Sequence, residues 1–414
     1  MKNKDALTRP LIAVYTSVYP NKSQPNLGLF VRERMHRVSR SLNLVVVAPV
    51  PWFPFQSLIR RLRPHFRPHV PVFEEQEGIR VYHPRFFCVP GFFKWTDAWF
   101  QALGSLRVMR RLKKEFGFDI IDAHFVYPDG VAAHLLGRWL KIPYTITLRG
   151  SLNRFGSSIL HRRQIKKALN DASRIFTVSE SLRREALAWG QDPAKVQMIG
   201  NGVDLDRFRP EDKLESRKML GLPEKAKILI SVGGLTERKG FHRIIELMPD
   251  LLEKHPDLHY VIAGGANPEG NNRARLESLI QDLGLQSRVH LLGAVDPDEL
   301  RYVYSSGDIF VLATSFEGWA NVLLEASACG LPIVATNVGG NSEVVSSEDV
   351  GILVPYGDQQ ALKDAVLMAL SRTWDRDGIL DHARSHSWEN KIPDLVSSLL
   401  DIYAQYKKFY FSQA

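Results

Sequence analysis

Residues 315–336 read Ser315-Phe316-Glu317-Gly318-Trp319-Ala320-Asn321-Val322-Leu323-Leu324-Glu325-Ala326-Ser327-Ala328-Cys329-Gly330-Leu331-Pro332-Ile333-Val334-Ala335-Thr336. The apolar run 308–314 just before them predicts a strand, Glu317-Gly318 a loop, and 320–328 a helix. Gly330-Leu331-Pro332 then turns the chain into a second apolar strand. Such a strand–loop–helix–strand unit exposes a helix N-terminus, whose free N–H groups and positive dipole end suit a diphosphate. Gly318 lets the backbone come close to that ligand. Glu317 on the loop and Glu325, roughly one to two turns into the helix, can face one ligand from different sides and accept hydrogen bonds from sugar hydroxyls. Taken alone, the pair reads equally well as a loop carboxylate and a solvated helix residue.

Working outward, two α/β blocks frame this unit. In the first, apolar strands at 11–17, 44–49, 119–123, 144–148 and 174–178 alternate with helices at 30–41, 130–140 and 158–168. In the second, strands at 227–232, 259–263, 289–292 and 308–312 alternate with helices at 241–254, 273–283 and 298–305. Continuous apolar strands alternating with helices imply parallel sheets covered on both faces. Asn201-Gly202-Val203-Asp204 opens an exposed linker ending at Pro210, so the boundary is expected near 205–225. Residues 388–406 carry apolar side chains at helical spacing.

Composition narrows the class. The chain has 414 residues, 44% hydrophobic and 24% charged, enough for two or three soluble domains. No run is long and apolar enough to span a bilayer, and 1–10 lacks the apolar region and cleavage site of a signal peptide. Two cysteines in unrelated contexts, Cys88 and Cys329, argue against a disulfide framework and suit a reducing cytoplasm. The net charge of +9 hides an asymmetry: 1–210 holds 34 Lys and Arg against 16 Asp and Glu (+18), and the remainder 20 against 29 (−9). So basic a half points to an anionic partner: lipid head groups, a pyrophosphate-linked acceptor or nucleic acid. Residues 49–93 hold eight prolines, with Trp52, Phe53, Phe55, Phe66, Phe73, Phe86, Phe87, Phe92 and Phe93 among Arg60, Arg61, Arg63 and Arg67; Trp95 and Trp99 follow on a basic helix ending at Lys113-Lys114. This segment suits the interface of an anionic membrane, or it is a long connection whose rings fill a small core of their own.

Three further loops carry candidates. Gly233-Gly234-Leu235-Thr236-Glu237-Arg238-Lys239-Gly240 follows the first strand of the second block and opens a helix, so its glycines admit a phosphate closely. Arg238 and Lys239 there can neutralise a diphosphate leaving group, or form a solvated basic pair. His124, in Asp122-Ala123-His124, ends a strand at the sheet edge where ligands gather. Its imidazole can bond a donor-sugar hydroxyl or polarise the reacting centre, although a lone histidine at a strand end is more often structural. Arg149-Gly150-Ser151 lies at another strand end and offers a phosphate or acceptor contact. Gly339-Gly340-Asn341-Ser342-Glu343 forms a turn before a helix. No His, Cys and carboxylate cluster has metal-ligand spacing, so no metal is expected.

The 315–336 string closely resembles the signature of the retaining nucleotide-sugar glycosyltransferases of family four, which have the GT-B architecture. The resemblance is strongest over 195–356 and weaker over 11–180. It implies two doubly wound Rossmann-like α/β domains facing across a cleft: 1–210 for the acceptor, 211–387 for the nucleotide sugar, and a C-terminal helix, 388–414, crossing back onto the first. It assigns Glu317 to the donor sugar and Glu325 to the donor ribose, with Gly318, Trp319, Ala320 and Asn321 lining the donor site. Lys239 occupies the motif's lysine before glycine, His124 its histidine, and Gly28, in Pro25-Asn26-Leu27-Gly28, its N-terminal glycine loop. The chain departs from the pattern at Gly234, where many members carry Arg, which leaves Arg238 to supply the second cation. It departs again at Leu152, where Asp is usual, weakening Arg149 and Gly150 as acceptor contacts. The implied activity is transfer of a hexosyl group from a UDP- or GDP-sugar to a lipid-linked or saccharide acceptor with retention of configuration, in cell-surface polysaccharide biosynthesis. The catalytic set would be His124, Lys239 and Glu317, with no metal or other cofactor. The same reading places the protein in the cytoplasm, peripheral to the inner face of the membrane, and without a nucleic-acid partner, since no recognised nucleic-acid motif occurs. A nucleotide-sugar epimerase or hydrolase on the same fold, or a non-catalytic module binding an anionic membrane or nucleic acid, are the competing readings.

Overall fold

Apolar runs flanked by helices become two separate parallel sheets in the computed structural model, which describes residues 9–62, 67–267 and 270–411. The readings of 1–8, of Arg63 and Phe66, and of 412–414 lie outside the described residues. Contacts divide the chain into two units: the first runs to Gly200 and takes back the chain from Lys391, and the second is Asn201–Asn390.

The strands of the first unit are β1 (Leu11–Tyr15), β2 (Asn43–Val47), β3 (Val50–Trp52), β4 (Phe73–Gln76), β5 (Ile79–Tyr82), β6 (Arg85–Phe87), β7 (Ile120–His124), β8 (Tyr144–Leu148), β9 (Arg174–Thr177) and β10 (Val196–Met198). Eight form one sheet in the order β10-β9-β8-β7-β1-β2-β5-β4, parallel except for the β4–β5 edge pair. The order reverses at β1, so the loops after β1 and β7 leave the sheet side by side. Side-chain alternation sorts the two faces. Ile12, Val14 and Ile120 pack with Val31, Met35 and Val38 of the helix Leu29–Ser39. Ala13, Tyr15, Ile121 and Ala123 face the other way, onto the helices Asp97–Phe116 and Val131–Leu140.

The C-terminal helix Trp388–Phe411 belongs mostly to this unit. Leu395, Leu399 and Ile402 are buried on the β1 side of the sheet, and Ser398 Oγ donates to Gln197 Oε1 at 2.7 Å. Residues 201–210, expected to close the first domain, group with the second unit. The cause is local: Val203 N donates to His386 O at 3.0 Å, and Trp388 N to Val203 O at 3.3 Å.

The second unit holds β11 (Lys227–Val232), β12 (Leu258–Ala263), β13 (Val289–Gly293), β14 (Ile309–Leu312), β15 (Ile333–Thr336) and β16 (Gly351–Val354) in a parallel sheet ordered β13-β12-β11-β14-β15-β16. The chain leaves β11 toward one edge and returns at β14 toward the other. This is the doubly wound pattern, and its switch point lies between β11 and β14.

The described residues of the aromatic segment 49–93 carry regular elements. β3 and β6 pair in a small parallel sheet, beside the β4–β5 hairpin and a short helix, Gln56–Leu62. Phe86 is buried, but most of the rings are not: Phe55 is 80% exposed, Phe92 68% and Phe93 69%, and Trp52, Phe73, Phe87, Trp95 and Trp99 are also exposed. Of the two sequence readings, the self-filled core accounts for only a minority of these side chains.

Candidate functional site

The switch point of the second sheet brings together the loops that the sequence singled out. After β11 the chain runs through Gly233 and Gly234 into a tight turn, Glu237–Lys239, before the helix Phe241–Lys254. After β14 it runs through Thr314–Ala320 into the helix Asn321–Ala328. The loops are joined by backbone, since Ser315 N donates to Arg238 O at 2.9 Å, and by Arg243 Nη1, which donates to Ala313 O at 2.8 Å.

Their side chains converge on one oxygen. Lys239 Nζ lies 2.7 Å from Glu317 Oε1, Arg238 Nη1 3.0 Å, and the Thr314 hydroxyl 3.2 Å. Arg238 Nη1 also donates to Phe316 O at 2.7 Å. Glu317 is buried, which by itself would raise its pKa, but Lys239 and then Arg238 outweigh that and hold the carboxyl below the usual glutamate value. Two cations on one carboxylate leave a surplus positive charge at the turn. The helix Asn321–Ala328 adds its N-terminus, where the cap residue, Ala320, has no side-chain acceptor to offer the first N–H groups. Cations beside uncapped N–H groups suit an anion with several oxygens.

Glu325 lies on that helix, half-buried, with Oε2 accepting from Tyr304 OH at 2.7 Å. Burial, reinforced by Glu325, raises the Tyr304 pKa well above the usual phenol value, so its proton stays available to the carboxylate. Asn321 Oδ1 accepts from Asn201 Nδ2 at 2.9 Å, so the linker motif steadies the first turn of the helix. Gly339 has φ +54°, and a Cβ there would stand 1.6 Å from Glu317 O, so only glycine lets the turn after β15 close over the Glu317 backbone. Trp319 is buried beside the turn and Gly318 with it. At Gly234 a Cβ would meet Asn267 Nδ2 at 2.2 Å, so Asn267 fills the space into which a side chain at 234 would grow.

Gly28, His124, Arg149 and Gly150 belong to the first unit, at the C-terminal ends of β1, β7 and β8. Gly28 adopts φ +69° as N-cap of the helix Leu29–Ser39, and a Cβ there would strike Val18 O at 2.3 Å, so its position is set by the turn. Asp129 Oδ2 accepts from Ser17 N at 3.0 Å and Asp129 Oδ1 from Gln101 Nε2 at 2.7 Å, tying the loop after β7 to the loop after β1. His124, expected to meet the sugar, is wholly buried. Its Nδ1 accepts from Arg149 Nε at 3.2 Å, and its Nε2 faces Asp122 Oδ2 at 3.4 Å. Both ring nitrogens are thus turned toward protein groups. Arg149 is half-buried, with its guanidinium 5.0 Å from the centre of the Phe30 ring, and Gly150 follows half-buried.

Sequence reasoning missed Tyr304, Asp122 and the role of Asn201. Asp122 had a usable signal, because it lies two residues before His124 on one strand and so points to the same face. Tyr304 sits on another helix and left no local signal.

Comparison with known proteins agrees with this geometry. Residues 212–385 match the family described as Glycosyl transferases group 1, and 56–207 match Glycosyltransferase Family 4. The architecture is that of GT-B glycosyltransferases. The chain is similar to sucrose-phosphate synthase from Thermosynechococcus elongatus (TM-score 0.76, 20% identity, 98% of this chain and 100% of that one). It is also similar to HepE of Anabaena, solved with UDP (TM-score 0.71, 18% identity, 94% and 99%). In sequence it is 30% identical over 359 residues to the putative teichuronic acid biosynthesis glycosyltransferase TuaC of Bacillus subtilis, spanning 85% of this chain and 87% of that one. It is 31% identical over 301 residues to the D-inositol 3-phosphate glycosyltransferase of Corynebacterium urealyticum, spanning 67% and 70%. The chain belongs to the family 4 glycosyltransferases.

The buried ion pair sets a pH signature. Because the Glu317 pKa is depressed in the folded state, its contribution to stability is present above the usual glutamate value of 4.5 and is lost as pH falls through the folded value. Urea unfolding of wild type and Glu317→Gln should differ by a constant amount at neutral pH, with the gap closing under acid. A gap that widens as pH falls would contradict the pairing.

Proposed function

We propose that the chain transfers a hexosyl group from a nucleotide-diphosphate sugar, a UDP-sugar or GDP-sugar, to a lipid-linked or polysaccharide acceptor with retention of configuration. The observation that carries this reading is the convergence of Lys239, Arg238 and an uncapped helix N-terminus around Glu317 at the switch point of the second sheet. The diphosphate lies against those N–H groups and the two cations, which stabilise the charge that grows on it as the sugar–oxygen bond breaks toward an oxocarbenium ion. The departing phosphate oxygen accepts the proton of the acceptor hydroxyl, so no side-chain base is assigned and no metal is required. Glu317, released from one of its cations as the diphosphate engages them, faces the sugar. Glu325, held by Tyr304, accepts the ribose hydroxyls. UDP is the first base to test, given the UDP-bound HepE structure, and a cell-surface polysaccharide is favoured by the name of the Bacillus subtilis relative.

The basic first half is assigned to the acceptor and its membrane. Along the helix Asp97–Phe116, one exposed stripe includes Trp99, Leu103, Arg107, Arg110 and Lys114, with Phe100, Arg111 and Glu115 exposed beside it and Phe92, Phe93 and Trp95 exposed ahead of it. Aromatic rings followed by cations on one stripe suit an anionic lipid interface. Among the described residues no helix is long and apolar enough to cross a membrane, so the proposed contact is peripheral. The free thiols of Cys88 and Cys329 suit the reducing, cytoplasmic side.

Thermal unfolding with UDP, GDP, ADP and CMP tests the donor site. A ligand at 100 times its Kd stabilises by about 2.7 kcal/mol, so one nucleotide should raise Tm visibly. Glu325→Ala should weaken that nucleotide by roughly 1.5–3 kcal/mol, the worth of hydrogen bonds to a charged acceptor. No shift with any nucleotide at millimolar concentration, or wild-type affinity in Glu325→Ala, would overturn the assignment.

Sedimentation with vesicles tests the lipid contact. Wild type should co-sediment with phosphatidylglycerol vesicles and not with phosphatidylcholine, and Phe92→Ser with Phe93→Ser should reduce that binding. Equal recovery on both lipids, or binding indifferent to the double substitution, would remove the membrane from the proposal.

A further inference from the structure

Arg34, on the helix Leu29–Ser39, is 1% exposed, and neither of its terminal guanidinium nitrogens has a hydrogen-bond partner among the described residues. A buried cation left in that state is costly unless its charge serves a neighbour. Its helix packs through Val31, Met35 and Val38 on the face of the sheet that carries Ile12, Val14 and Ile120. By strand alternation, Asp122 and His124 of β7 point to that same face. Asp122 is fully buried, accepts from the Thr145 hydroxyl at 2.6 Å, and is the carboxylate whose charge acts on Arg34. From Arg34 the order is therefore cation, carboxylate, imidazole and the second cation, Arg149, whose Nε–H bonds His124 Nδ1 at 3.2 Å.

That arrangement poses a chemical question. A carboxylate beside a buried histidine favours the imidazolium, while burial favours the neutral ring. An imidazolium has no acceptor nitrogen, so it would lose the Arg149 bond and repel the guanidinium. We propose that Arg34 is a positioning residue: its buried charge balances Asp122 and keeps His124 a neutral imidazole, protonated on Nε2, so that Nδ1 can hold Arg149 at the edge of the first sheet.

The charged groups acting on His124 are Asp122, which favours its protonation, and Arg149 and Arg34, which oppose it; burial opposes it most, and together they push His124 down to about 4. Burial works against ionisation of Asp122, yet His124, the Thr145 hydroxyl and Arg34 hold its carboxyl below the usual range. Removing Arg34 takes away one of the two opposing cations and one of the groups that stabilise the Asp122 carboxylate, so taking up a proton from solvent becomes easier for His124. Arg149 then loses its Nε acceptor at His124. Nothing in this arrangement depends on which nucleotide the second unit takes.

The test reads the ring nitrogens directly. The full chain, labelled with 15N-histidine, is followed by long-range 1H–15N correlation between about pH 5 and 8, with His124→Asn identifying the His124 signals. Wild type should show one neutral tautomer across that range, with Nε2 protonated and Nδ1 unprotonated. Arg34→Met should raise the His124 titration above its wild-type position, and Arg34→Lys should restore the wild-type spectrum. Arg34→Gln serves as the neutral variant if Arg34→Met does not fold. An Nδ1-protonated ring in wild type, a His124 titration unmoved in a folded neutral variant, or failure of Arg34→Lys to restore it would each overturn the role.

Discussion

The contact of Glu317 with Lys239 and Arg238 is the interaction on which the second unit's site depends. Doubly wound sheets leave a gap above the switch point, and the loops there have no strand pairing to fix them. Here the Glu317 carboxylate accepts from Lys239 and Arg238, on the loop after β11, and from Thr314 on its own loop, while Ser315 N secures the same junction through backbone. The carboxylate is buried while its two cations keep part of their surface in water, so the net contribution of the pair to stability is modest. Its larger consequence is geometric, because it holds two cations beside an uncapped helix N-terminus before any anion arrives.

The two sheets apply the same topology to different chemistry. Both reverse strand order next to their first strand, and in both the loops at the reversal are tied across. In the second unit the tie is ionic and near the surface, with Lys239 and Arg238 partly accessible. In the first it is buried: Asp129 holds Ser17 N, and Asp122, His124 and Arg149 follow one another on β7 and after β8. Burial pushes Asp129 up to about 6, whereas the cations around Glu317 push its carboxyl down. Two buried carboxyls thus take opposite protonation tendencies from their surroundings.

Much of this was legible in the sequence, for identifiable reasons. Strands of continuous apolar character and helices such as Phe241–Lys254 were visible because their burial requires the pattern. Glu317, Lys239 and Glu325 were legible because their spacing is carried by one strand–loop–helix unit or by the turn that packs against it. Less legible were β3 to β6, three or four residues each and too short for periodicity to show. His124 was visible as a residue and obscure as a role, since the Arg149 bond to its Nδ1 comes from beyond a neighbouring strand. Arg34 was invisible: one arginine in the basic run Arg32, Arg34, Arg37 and Arg40 gives no sign of which is buried.

The central claim is that a nucleoside diphosphate sits on the β11 and β14 loops, and amide hydrogen exchange with and without millimolar UDP reads it most directly. The account predicts slowed exchange in 234–241 and 317–324, with Glu317→Gln weakening the protection at both. Protection confined to other segments of the chain, with these two loops unchanged, would contradict it.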